Sequence, residues 1–125
     1  MPADSPRHFW IGKFPSDVAR GVYFDENSEF DIDIEDSYLS QFAQDQGEQF
    51  YDHDWIEMSS FKPEELESTV KEHSYSEVWY SKVMDLMAQV PDTDFDTFVM
   101  IDAREIAEPR TVDKPNMKLY FLGTV

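Results

Sequence analysis

Apolar residues occur in short runs whose spacing separates strands from helices. The run His8–Gly12 is apolar and bounded by polar turns, which predicts a short buried strand. The runs 98–101 and 119–122 predict two closing strands, joined by the polar stretch 105–115. Residues 50–60 are interpreted as extended. The chain is therefore expected to begin and end with strands.

Helical spacing and helix-start signals mark four other segments. Ser16 is a candidate N-cap, with Asp17 in the first turn, and Lys62-Pro63-Glu64-Glu65 is a typical helix opening. Gly47 and Pro91 lie where helices should end. We expect helices over about 17–26, 37–46, 63–73 and 76–90. The intervening stretch 27–36 is an acidic loop or a short strand, because apolar residues alternate with acids there.

The order β, α, α, β, α, α, β, β predicts an α+β fold. Its helices would pack on a small, mostly antiparallel sheet. A length of 125 residues suits one compact domain over residues 1–125. Hydrophobic residues make up 41% of the chain, and many of them are aromatic, so they can supply its core.

Composition excludes several classes of function. The chain has no cysteine, so disulfides, thiolate metal sites and a cysteine nucleophile are ruled out. Its four glycines form no phosphate-binding motif, and we expect no cofactor. Neither a secretory signal nor an apolar run of about 20 residues occurs, so the cytoplasm is the expected compartment.

Charge is the most informative total. The formal net charge is −17, and the segment between Arg20 and Lys62 holds twelve acids and no Lys or Arg. Such a protein is repelled by nucleic acid and anionic membranes and attracted to cationic surfaces. We therefore expect a basic protein partner, and neither nucleic acid nor membrane.

The densest polar cluster lies within residues 45–57 and admits two chemical interpretations. Asp52, His53 and Asp54 could bind a metal ion, as in a small metal-assisted hydrolase. Strand alternation would nevertheless turn His53 away from the two aspartates, and no second His stands at a metal-binding spacing. Asp52 or Asp54 could also form a general acid/base pair with Glu57. A chain this short leaves little room for the deep cleft such a pair needs.

The third interpretation is a surface that docks a basic partner. Acids would steer the partner, and Tyr51 and Trp55 would anchor it. We expect the contact residues to be Asp25, Glu26, Asp31, Asp33, Glu35, Asp45, Glu48, Tyr51, Asp52, Asp54, Trp55 and Glu57. Two plainer alternatives stay open: Trp55 and Ile56 belong to the core beneath solvated acids, or residues 52–57 form an internal hydrogen-bond network.

Ser74-Tyr75-Ser76, with His73 beside it, suggests a serine nucleophile. Sequence neighbours rarely form a catalytic triad, and no GxSxG motif is present. We therefore interpret Ser76 as a helix cap and Tyr75 as a packed ring.

Several segments together resemble the immunity protein 22 family. They are His8–Gly12, Asp45–Glu48, Tyr51–Glu57, Ser74–Ser76 and Leu119–Gly123. They occur in the expected order and span nearly the whole chain.

The resemblance implies an α+β immunity protein of a bacterial polymorphic or contact-dependent toxin system. Such a protein is not an enzyme; it binds and neutralises a cognate toxin, often a nuclease. The acidity supports the same conclusion independently, because a nuclease presents a cationic surface to phosphates. A free-standing acidic adaptor or nucleic-acid mimic is the alternative of another class.

Overall fold

Five strands and four α-helices form the fold of the described residues. The structure is a computed structural model that describes residues 2 and 4–125. The strands are β1 Arg7–Lys13, β2 Ile56–Ser60, β3 Thr97–Asp102, β4 Val112–Lys114 and β5 Met117–Thr124. The helices are α1 Asp17–Phe24, α2 Gln41–Asp45, α3 Leu66–Lys71 and α4 Ser76–Met87. No helix in the described part of the chain is long and apolar enough to cross a membrane.

The strands form one antiparallel sheet in the order β2-β3-β1-β5-β4. β1 lies at the centre, where Phe9 is opposite Met100 of β3 and Ile11 is opposite Tyr120 of β5. A register shift between Phe9 and Trp10 marks a bulge in the β1–β5 pairing. The predicted α+β fold is confirmed.

Each face of the sheet is covered by one pair of helices. Trp10 points to one face, where it packs with residues of α1 and α2 such as Tyr23 and Phe42. Phe9 and Ile11 point to the other face, toward Trp79 and Val83 of α4. Successive residues of a strand alternate between faces, so a strand covered on both sides is apolar throughout. This explains the continuous apolar run that predicted β1.

Polar side chains determine where α1 and α2 begin and attach α1 to the sheet. The hydroxyls of Ser16 and Ser40 each accept a hydrogen bond of 3.1 Å from the backbone three residues later, as N-caps do. The buried Arg20 of α1 donates to Thr97 at 2.7 Å and pairs with Asp96 at 3.2 Å. These contacts fasten α1 to the start of β3.

Two predicted segments differ in the structure. The helix expected over 37–46 covers only Gln41–Asp45, because Ser40 is its N-cap and the preceding backbone bonds elsewhere; Leu39, for example, bonds to Gln49. Residues 53–55, expected to be extended, form a 3-10 turn capped by the side chain of Asp52. Only residues 56–60 of that stretch are a strand.

The acidic stretch 27–36 is a loop, and the polar connection before the last strand contains the additional strand β4. β4 pairs with β5 around a two-residue turn at Pro115-Asn116, with Lys114 opposite Met117. Three residues are too few to show an apolar period, which is why the sequence pattern missed this strand.

Gly12 provides a test of the central packing. A Cβ at Gly12 would lie 2.7 Å from the carbonyl oxygen of Lys118 and 2.8 Å from a methyl carbon of Leu119. A backbone carbonyl in a sheet moves little, so Gly12→Ala should lower the free energy of unfolding by about 2 kcal/mol. Gly21→Ala is the control, because nothing lies within 4 Å of that Cβ. Since Gly21 is in a helix, this change should raise stability by about 0.5–1 kcal/mol. Urea unfolding measures both; equal effects would contradict the packing described here.

Candidate functional site

Five of the acids expected to contact a partner are exposed. Asp25 follows the end of α1, three acids lie in the loop after it, and one lies in the turn before β2. We call this set the acidic surface: Asp25, Asp31, Asp33, Glu35 and Asp54. Their side chains point to solvent, where a partner can reach them.

The loop that carries most of these acids is held by local hydrogen bonds. The side chain of Asp31 accepts from the backbone of Asp33, and Ser37 accepts from the backbone of Asp31, both at 3.0 Å. Gln49 donates to the carbonyls of Ile34 and Ser37 at 2.8 and 3.1 Å. These bonds give the exposed acids defined positions, so less conformational entropy is lost when a partner binds.

Two grooves meet at Asp25. The edge groove has a volume of about 510 Å³ and is lined by Gly21, Phe24, Asp25, Glu26, Tyr51, His53, Ile56 and Met58. The loop groove is also lined by Asp25 and includes Val22, Ile34 and Asp36. Apolar and acidic side chains are therefore interleaved around the end of α1.

Glu26 and His53 form an ion pair at the edge groove. His53 Nδ1 lies 2.9 Å from a carboxylate oxygen of Glu26. That hydrogen bond, and the negative charge behind it, raise the pKa of His53 above its ordinary 6.5. Glu26 thus has a charged partner within the chain.

The segment Asp45–Glu48 forms an internal clamp, meaning that its side chains bond to other parts of the same chain and hold them in place. Gln46 is only 1% exposed, donates to the carbonyl of Arg110 at 2.9 Å and accepts from its backbone N–H at 2.7 Å. The ring nitrogen of Trp10 donates to the same carbonyl at 3.1 Å. Gln46 therefore holds the connection between β3 and β4 against the core.

The residues next to Gln46 in the sequence also bond to other parts of the chain. Asp45 pairs with Lys114 at 2.7 Å and accepts from the Tyr23 hydroxyl at 2.8 Å. Glu48 accepts from the backbone of Ala107 at 2.8 Å. Gly47 has a φ of +79°, and a Cβ there would lie 2.8 Å from the Arg110 guanidinium. The carboxylates of Asp45 and Glu48 are accordingly engaged with their own chain.

Tyr51 and Trp55 are not the exposed anchors that the sequence suggested. Tyr51 is 2% exposed, and burial raises the pKa of its hydroxyl to about 12. Trp55 is half-buried under the guanidinium of Arg104, whose carbon lies 4.7 Å from the ring centroid. Arg104 is in turn held by the buried carboxylate of Asp102 at 3.0 Å. Both rings therefore pack against their own chain.

The strand alternation expected at Asp52, His53 and Asp54 is wrong, because all three precede β2. Asp52 uses its carboxylate to accept from the backbone of Asp54 at 3.0 Å. Across residues 2 and 4–125, no group of three or more His, Asp or Glu side chains is placed to hold a metal ion. The arrangement of Asp52, His53 and Asp54 is that of a capped turn.

Glu57 lies on the other face of the sheet, in an array that the sequence did not reveal. His73 Nδ1 is 3.0 Å from Glu57, and His73 Nε2 is 2.7 Å from the hydroxyl of Ser59. This is the connectivity of a serine-hydrolase triad. Glu57 also accepts from the backbone N–H of Ser74 at 3.0 Å. Since β2 is bonded in this way to the turn between α3 and α4, the array has a clear structural role.

The sequence suggested Ser76 as the N-cap of α4, but the structure places Ser76 inside the helix. Tyr75 holds the N-cap position in the left-handed region, with φ of 60°. Ser76 instead donates to the carbonyl of Lys71 at 2.6 Å. Sequence adjacency pointed to Ser74 and Ser76 as partners of His73, whereas the fold places Ser59 there.

These features define an acidic α+β protein whose 27–36 loop carries exposed acids with no Lys or Arg among them. The family model for Immunity protein 22 matches residues 8–125, and the chain belongs to that family. No curated protein and no solved structure matches it significantly. The resemblance seen in the sequence is thereby confirmed. Family membership supports an immunity role, implies binding of a cognate toxin, and suggests a role that is not enzymatic.

The clamp at Gln46 can be tested by stability. Gln46→Leu leaves the N–H of Arg110 without its side-chain partner and the carbonyl of Arg110 with only the Trp10 donor, and should lower the free energy of unfolding by about 2 kcal/mol. Gln44→Leu, at an exposed position of α2 two residues earlier, should change it by less than about 0.5 kcal/mol. Chemical denaturation compares the two. An equal, small loss in both variants would show that Gln46 does not hold the loop.

The pH dependence of stability tests the Glu57 array. Burial alone would raise the pKa of Glu57, but hydrogen bonds from Ser74 and His73 outweigh it and lower the pKa below 4.5. A lowered folded-state pKa gives stability that is present above the unfolded pKa and lost as pH falls through the folded one. Glu57→Gln should therefore lose less stability than wild type between about pH 5 and pH 3. Thermal melts measure this, and the exposed Glu108→Gln should keep the wild-type slope.

Proposed function

We propose that this chain protects the cell that makes it by binding a cognate basic toxin through the acidic surface, thereby blocking the toxin's action. Membership of the Immunity protein 22 family carries the immunity part of this proposal. The net charge of −17 and the exposed position of Asp25, Asp31, Asp33, Glu35 and Asp54 support the choice of surface. Contact between the two proteins would take place in the cytoplasm.

A nuclease is the proposed class of toxin. A nuclease needs a cationic surface to hold phosphates, and a cationic surface attracts the acidic one described here. Long-range attraction speeds the encounter of two such proteins and disfavours wrong partners. Inhibition would follow from covering the phosphate-binding surface, so the immunity protein itself needs no catalytic residue.

Exposed aliphatic side chains among the acids strengthen the case for a protein partner. Val22, Ile32 and Ile34 are each more than half exposed, and they lie beside Asp25, Asp31 and Asp33. Apolar contact supplies affinity once charge has brought two proteins together. A surface that only kept the protein soluble would not need these side chains. A mixed surface of this kind fits a specific protein interface.

The direct test is co-expression with the product of the gene immediately upstream. We expect that product to arrest growth alone, and growth to return when this chain is present. The two proteins should elute together on gel filtration. Growth arrest that this chain does not relieve, or a neighbour that is harmless and does not bind, would refute the proposed function.

Charge reversal tests the surface itself. Changing Asp25, Asp33 and Glu35 together to Lys should lower the association rate with the neighbour's product by about tenfold or more at low salt. The effect should shrink as salt increases, since exposed charges are screened. The matched control reverses Glu64, Glu72 and Asp85, which are exposed on the α3–α4 side. Stopped-flow binding that slows equally in both triple variants would place the interface elsewhere.

A further inference from the structure

β2 has a free edge. Within the described residues it pairs only with β3 and ends the sheet on that side. The backbone N–H of Phe61 donates to the carbonyl of Asp96 at 2.9 Å, and the β2–β3 register continues that pairing. Hydrogen bonding alternates along an antiparallel pair, so Glu57 and Ser59 bond to β3. The backbone N–H and C=O groups of Ile56, Met58 and Ser60 therefore face outward.

The two edges of the sheet are protected to different degrees. Edge strands are commonly guarded against pairing by short length, lysine or proline. β4 has only three residues, includes Lys114 and is followed by Pro115. β2 has five residues and contains neither lysine nor proline. Its one charged side chain, Glu57, is held by His73 and Ser74. β2 is thus the edge left open to another strand.

The edge groove runs beside this open edge. Ile56 and Met58 of β2 line it together with Phe24 and Tyr51, and Met58 is 40% exposed. Asp25 and Glu26 form its acidic rim, with Glu26 paired to His53 of the same groove. A strand added to β2 would turn every second side chain into this groove. The groove offers those side chains an apolar floor and a negative rim.

We propose that the toxin docks by adding an extended segment to the free edge of β2, with apolar and basic side chains of that segment in the edge groove. This proposal rests on the proposed function and specifies how the partner is bound. Strand addition supplies affinity through backbone hydrogen bonds, and the adjoining pocket supplies specificity. A second copy of this chain is the other candidate for the edge. Pairing two β2 edges would bring two acidic rims together in a protein of net charge −17, which favours a basic partner instead.

Amide hydrogen exchange by NMR tests the proposal. In the free protein, the amides of Ile56, Met58 and Ser60 should exchange rapidly, while those of Glu57 and Ser59 should be protected. When the upstream gene's product is added, the three outward amides should become protected by about tenfold or more. That alternating pattern is specific to a strand added at this edge.

Every other outcome overturns the proposal in a recognisable way. A stable complex that leaves these three amides unprotected refutes strand addition but leaves the proposed function intact. Protection that appears without partner, rises with concentration and accompanies a doubled mass assigns the edge to a second copy. Failure of the neighbour's product to bind refutes the proposed function, and the docking mode with it.

A proline variant gives a second readout. Met58→Pro removes one outward N–H, and an edge strand tolerates proline at such a position. It should raise the dissociation constant for the upstream gene's product by about tenfold, since a hydrogen bond is lost and the ring obstructs the added strand. Met58→Ile keeps both the N–H and an apolar side chain, so it should lose less affinity than Met58→Pro. Circular dichroism checks that both variants fold, and equal affinities of the two would overturn the proposal.

Discussion

The packing of β1 on both of its faces is the constraint on which the rest of the structure depends. Phe9, Trp10 and Ile11 are fully buried, and they serve two different cores because alternate side chains leave the sheet in opposite directions. The strand also pairs with β3 on one side and β5 on the other. Each helix pair therefore needs β1 as its floor, and the close approach of Gly12 to β5 leaves no space for a side chain at that point.

The segments that resemble the family serve the fold more than the surface. Gln46 reaches the backbone of Arg110, while Asp45 and Glu48 bond to β4 and to the connection before it. Arg104 covers Trp55, and Glu57 fastens β2 to the α3–α4 turn. A buried polar group is costly unless it is paired, so such residues are tied to specific partners. Asp33 and Glu35 of the 27–36 loop are exposed at the surface, so changes at these two positions should cost the fold little.

In the proposed function, one part of the surface attracts the partner and another part holds it. Acids at the end of α1 and in the following loop act over a distance, whereas the open edge of β2 and the groove beside it act on contact. Asp25 lines both grooves, which links the two parts into one continuous surface. An inhibitor built in this way needs no catalytic group, and rigid strands hold its contact atoms in place.

The sequence by itself determined the fold class, the approximate order of elements and the distribution of charge. Apolar period and capping residues are local signals, and β1, α1, α4 and the acidic loop are found near where they were expected. The three-residue β4 gave no such signal. Only the tertiary structure decided which acids are exposed: Asp45, Glu48 and Glu57 were among the expected contacts, yet each bonds to a distant segment of its own chain. It alone also brought Ser59 to His73 and left the edge of β2 open. Long-range pairing and burial depend on residues far apart in the chain, and no local pattern contains them.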